Sequence, residues 1–105
     1  MPADRSWDQA FKQSIAKGVT IVDFNARWCV PCHTQKPILK ALEKTFSSVA
    51  RVKIIDIEKN REIAFKLGIQ SIPTIIIYQD GREVKRFIGL QTGDTLGNAI
   101  KQLVG

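Results

Sequence analysis

Apolar positions along the chain follow two periods, and the switches between them mark the elements. Ser6-Trp7-Asp8-Gln9 has the spacing of a capping box and predicts a helix reaching about Ala16. Trp7, Phe11 and Ile15 then recur at helical spacing as its core stripe, and Gly18 ends it. Val19-Thr20-Ile21-Val22-Asp23-Phe24-Asn25 is apolar on both alternating faces and rich in β-branched residues, which predicts a buried strand. The helical period returns in Ile38, Leu42 and Phe46, so a helix opens near Cys29 and runs to about Ser47, with a kink expected at Pro37. Val49 to Ile57 predicts a second strand, and Asn60 caps a short helix from Arg61 to Leu67 that Gly68 ends. Thr74 to Tyr78 and Glu83 to Ile88 flank Gln79-Asp80-Gly81-Arg82, a hairpin turning on Asp-Gly. Thr92-Gly93-Asp94-Thr95 caps a last helix with Leu96, Ala99, Ile100 and Leu103 on its core face. Strand, helix, strand and then hairpin predict an α/β fold: a small mixed sheet flanked by helices, with right-handed crossovers between parallel strands.

Composition narrows the function classes. With 105 residues, 44% of them hydrophobic, the chain is expected to form one domain, residues 1–105, with a core that needs no covalent staple. The net charge is +6, but the basic residues are scattered, and no basic strand is interleaved with aromatics. Nucleic acid is therefore not an expected partner, and the charge suits acidic proteins or plain solubility. No apolar run is long enough to span a membrane, and the first six residues lack a signal core, so a cytoplasmic protein is expected. There is no Gly-rich phosphate loop, and with His33 as the only histidine there is no Ser/His/Asp set beyond it.

The chemistry concentrates in Trp28-Cys29-Val30-Pro31-Cys32, which holds both cysteines of the chain. Cys29 falls at the mouth of the predicted helix and Cys32 one turn in, so the two sulfurs can reach disulfide distance with little backbone movement. Unpaired N–H groups and the macrodipole at a helix N-terminus favour a thiolate. That position assigns Cys29 as the attacking nucleophile and Cys32 as the resolving thiol in disulfide exchange. Pro31 suits the first turn, where its missing N–H would have had no helical partner. A structural disulfide is a competing reading, but a bridge closing so short a loop removes little chain entropy. Zinc is poorly served by two cysteines and one histidine. Cys29-Val30-Pro31-Cys32-His33 also matches the string that attaches a c-type haem, yet Met1 and His33 offer poor axial ligation and the preceding strand is wrong for it. His33 has two readings, a cation beside the thiolate or a solvent-facing helix residue.

The stretch from Val22 to Cys32 resembles the active-site segment of the thioredoxin family. Ser71-Ile72-Pro73-Thr74, followed by Ile75-Ile76-Ile77-Tyr78 and Asp80-Gly81, is similar to the family's cis-proline segment and hairpin, and Gly89 falls where the family has a glycine beside the active site. The resemblance covers about residues 6 to 104. It implies a thiol–disulfide oxidoreductase reducing protein disulfides, a monomer with no bound cofactor, recharged by a reductase that draws on NADPH. It implies that Asp23 is buried behind Cys32 and relays its proton through a water, with a pKa raised by burial. The reading from the residues alone leaves an edge strand with Asp23 facing water open. It implies a cis Ile72–Pro73 bond and a backbone at Ile72 that pairs with an extended partner, so that Trp28, Val30, Pro31, Ile72, Pro73 and Gly89 form a docking surface. Trp28 can alternatively be a packing aromatic. The extra strand that many members carry before the first helix is expected to be absent or vestigial. The sequence departs from the family at three more places. Ile54 stands where a lysine usually neighbours the aspartate, and Lys53 is one residue off, on the other face of its strand. Asn25 replaces a common tryptophan, and Val30 replaces a common glycine. Asp23 is thus expected to lack a cationic neighbour and to carry a pKa raised further than is usual. Val30 and the missing lysine leave in view a redox relay or oxidant dedicated to one pathway. A non-catalytic adaptor is the alternative from another class, and the intact cysteine pair speaks against it.

Overall fold

A computed structural model describes residues 6–104, with side chains from Gln9 onward. The predicted capping box, the place of Trp7 on its stripe and the expectation about a strand before the first helix fall outside the described residues. The elements run α1 (Ser6–Ser14), β1 (Val19–Asn25), α2 (Val30–Thr45), β2 (Ala50–Asp56), α3 (Arg61–Lys66), β3 (Thr74–Gln79), β4 (Arg82–Ile88) and α4 (Gly93–Val104). Every predicted element is present, with ends moved by a residue or two, as fraying ends are.

The sheet has the order β2-β1-β3-β4. β1 and β2 are parallel and joined through α2, whereas β3 runs antiparallel to both β1 and β4. All seven residues of β1 are buried because strands flank it on both edges and helices cover both faces. Val19 and Ile21 pack with Ile75 and Ile77 against Leu39 and Leu42 of α2 and Leu96 and Ile100 of α4. Val22 and Phe24 point the other way, with Ile76 and Tyr78, against Phe11 of α1, Ile15 just after it and Ile63 of α3. Burying an aliphatic or aromatic side chain of this kind is favourable by roughly 1.5–3 kcal/mol, so the two clusters fix the register of β1.

Two local expectations need correction. The Asn60 side chain makes no cap bond to α3; its Nδ2 instead donates to the Asp56 carbonyl at 2.9 Å, tying the turn back to the end of β2. On α2 the deepest stripe is Cys32, Gln35, Leu39 and Leu42, while the predicted Ile38 and Phe46 pack at its margin, partly buried. The β3–β4 turn takes left-handed backbone at Asp80 (φ 51°) and Gly81 (φ 87°), which is why an Asp-Gly pair sits there.

Candidate active site

Cys29 is the N-cap of α2, in extended backbone at φ −88° and ψ 113°, and Pro31 lies in the helix's first turn. A disulfide joins Cys29 to Cys32, with Cα atoms 5.3 Å apart. The backbone N–H of Cys32 donates to Cys29 Sγ at 3.2 Å. The sulfur thus occupies the place that a capping oxygen takes in other helices, and the same N–H would stabilise a thiolate. The first turn contains no acidic residue to oppose that charge. Cys29 and Cys32 are both buried, in a small cluster with Ala26 that Ile57 and Ile72 border. Cys29 Sγ lies 3.8 Å from the Ile72 carbonyl oxygen, and the Ile72–Pro73 bond is cis. Gly89 N–H donates to the Pro73 carbonyl at 2.8 Å, in left-handed backbone at φ 92° that a side chain would strain. Trp28 and Val30 are exposed beside the disulfide, and the Trp28 Nε1–H donates to Glu58 Oε2 at 2.9 Å. The packing-aromatic alternative for Trp28 does not fit a ring left 66% exposed. The predicted docking residues thus lie on the loop before α2, the first turn of α2, the turn before β3 and the loop after β4.

Asp23 is fully buried, which removes the edge-strand reading. It lies on the face of β1 that packs against α2, two residues on from Ile21, and Cys32 lies on the facing stripe of that helix. Its Oδ2 accepts from Asn25 Nδ2 at 3.3 Å, and its Oδ1 has no hydrogen-bond partner among the described residues. Burial pushes its pKa up from 3.8 to about 6, while the Asn25 amide and the charge of Lys36 pull it down. Ile54 pairs with Asp23 across the β1–β2 ladder, and Lys53 pairs with Val22, so the strand brings no cation to it. The expectation that Asp23 lacks a cationic neighbour is corrected: Lys36, from α2, acts on it, more weakly than burial and the Asn25 amide. His33 is exposed and its Nε2 lies 2.7 Å from the Arg27 carbonyl oxygen, which favours the solvent-facing reading over a thiolate partner.

Three residues that belong to this neighbourhood were not legible as such. Lys36 and Glu58 carry no sequence signal beyond ordinary surface charge. Gln35 does carry one, because a polar residue on the inner stripe of α2 must find a buried partner. Among the described residues no group of three or more His, Cys, Asp and Glu side chains could hold a metal ion.

A reversible cysteine pair at the head of a helix, with a buried carboxyl on the strand behind it, defines a thiol–disulfide oxidoreductase whose redox centre is the pair itself. Comparison with known proteins gives the family. The thioredoxin family model matches residues 3–102. Thioredoxin from Chlamydia muridarum is 41% identical over 92 residues, 88% of this chain and 89% of that protein. Thioredoxin from Bacillus subtilis is 32% identical over 98 residues, 93% and 94% of the two chains. The crystal structure of oxidised mitochondrial thioredoxin 3 from Saccharomyces cerevisiae superposes with a TM-score of 0.83 at 27% identity, covering 90% of this chain and 89% of that one. The chain belongs to the thioredoxin family, and its activity is the reduction of protein disulfides by dithiol exchange.

Proposed function

We propose that Cys29 attacks and Cys32 resolves. The Cys29 thiolate displaces one sulfur of a partner disulfide, which leaves as a thiolate and takes up a proton, and a Cys29–partner disulfide forms. Cys32 then loses its proton toward Asp23 and attacks Cys29 Sγ. The mixed disulfide breaks, the partner leaves with two reduced sulfurs, and the Cys29–Cys32 bond closes with the two electrons gone to the partner. The N–H of Cys32 held 3.2 Å from Cys29 Sγ carries this assignment, because it singles out one of the two sulfurs for stabilisation as an anion. Asp23 acts as the base because its pKa of about 6 leaves it ionised at neutral pH yet still proton-accepting.

The partner segment lies across Trp28, Val30 and Pro31, extends along the Ile72 backbone beside Pro73, and meets Gly89. A reductase drawing on NADPH returns the electrons. The protein works in the cytoplasm as a single-domain monomer; among the described residues no helix is long and apolar enough to cross a membrane. Trapping tests the roles of the two cysteines. A Cys32→Ser variant, reduced and mixed with a disulfide-containing protein, is expected to accumulate a covalent complex on gels run without reductant, and Cys29→Ser is not. Accumulation by Cys29→Ser alone would reverse the assignment.

A further inference from the structure

Gln35 follows Cys32 by one helical turn and is fully buried. Its Oε1 accepts from the backbone N–H of Gln91 at 2.8 Å, and its Nε2 donates to the backbone carbonyl of the same residue at 3.0 Å. One side-chain amide thus satisfies both polar groups of one backbone residue 56 positions along the chain. An aliphatic residue would fill this place on the stripe without the expense of burying an amide, and would leave two backbone groups unpaired.

Gln91 belongs to the loop between β4 and α4, which carries Gly89. Its own Nε2 donates back to the Gly89 carbonyl at 3.2 Å, and the Gly89 N–H donates to the Pro73 carbonyl at 2.8 Å. The chain of bonds therefore runs from the cysteine-bearing helix through Gln91 and Gly89 to the turn beside Cys29. The loop's far end is fixed where Thr92 Oγ1 caps α4, accepting from the Thr95 N–H at 3.1 Å.

We propose that Gln35 is a positioning residue: it clamps the loop of Gly89 to α2, so that this docking segment is held at a fixed height beside the cysteines. The proposal rests on the docking reading above. The hydrogen bonds of the Gln35 amide go to Gln91 and not to a sulfur, so its effect falls on partners that extend over the loop and much less on a small disulfide that reaches Cys29 without it.

Gln35→Met keeps the approximate volume and removes both bonds. The second-order rate constants of the reduced protein are measured with insulin and with hydroxyethyl disulfide. The insulin-to-small-disulfide ratio is expected to fall about tenfold, equivalent to about 1.4 kcal/mol. Trp28→Ala, an exposed docking position, is the companion variant and is also expected to lower the ratio. A ratio unmoved in Gln35→Met but lowered in Trp28→Ala overturns the clamp alone; a ratio unmoved in both overturns the docking reading and the clamp with it. If Gln35→Met does not fold, the wild-type protein decides by hydrogen exchange. A Gln91 amide protected on the order of 100-fold relative to an unstructured peptide supports the clamp, and a peptide-like rate overturns it.

Discussion

In the role proposed for it, Asp23 serves folding and chemistry in opposite directions. Its carboxyl is buried, and its pKa stands at about 6 against an ordinary 3.8. Because the folded value is the higher one, the folded protein binds more protons than the unfolded chain between those two pH values. The neutral carboxyl's advantage is full below the lower value and is lost as pH rises through about 6. Asp23→Asn in the disulfide form is therefore expected to be more stable than wild type at pH 7 by ~2–3 kcal/mol and nearly equal to it at pH 4. Urea unfolding at both pH values checks this, and an equal gain at both would show that the charge is not its source. In the proposed mechanism the same variant loses its base. Its rate of insulin reduction at pH 7 is expected to fall about 10–100-fold, together with the limb of the pH profile centred near pH 6. The sequence showed Asp23 as the anomalous residue of an apolar strand, which was enough to point at it. It did not show Lys36 acting on it, because that pairing depends on how α2 lies across β1 rather than on any local pattern.

At the scale of the element, α2 does two jobs with one N-terminus. Cys29 closes the helix as its N-cap, and the groups that do so are the ones that would hold a thiolate. Val30 stands in the first turn, exposed, where a substitution disturbs no packing. Val30→Glu separates the two jobs. A carboxylate in the first turn favours the helix dipole by ~0.3–1 kcal/mol but opposes a second negative charge beside it. The reduced variant is expected to react with iodoacetamide at pH 7 about threefold more slowly, an effect that shrinks at high salt, while the thermal midpoint of the oxidised form does not fall. A rate equal to wild type would mean that the thiolate is not stabilised from the helix end. Both the helix and the position of Cys29 on it were legible, since apolar period and Pro31 mark its start. The place of Gln35 between Cys32 and Leu39 is visible in the sequence but its role is not, because its partner lies in a loop with no period of its own. The hairpin was legible for the opposite reason, because the Asp80-Gly81 pair states its backbone geometry locally.

At the scale of the molecule, the direction of electron flow depends on how far the folded protein stabilises the reduced pair. Proteins of this fold range from about −270 mV for thioredoxin to about −120 mV for a strong oxidant, a span of roughly 7 kcal/mol, and the oxidant owes its position to a stabilised reduced form. Here the visible support for the Cys29 anion is one N–H from Cys32 and the end of a helix. His33, which could have added a cation beside the sulfur, is engaged with the Arg27 carbonyl instead. Behind the pair stands Asp23, whose own ionisation disfavours a second negative charge on Cys32. The reduced form is thus only moderately favoured, and the Cys29–Cys32 potential is expected near the reducing end, about −270 mV, despite Val30 and Ile54. Equilibration with a dithiol buffer of known potential, read by gel shift after alkylation, gives the value. A result near −120 mV would overturn the general-reductant reading and favour an oxidant serving one pathway, with the reduced pair stabilised by more than the Cys32 N–H and the helix end.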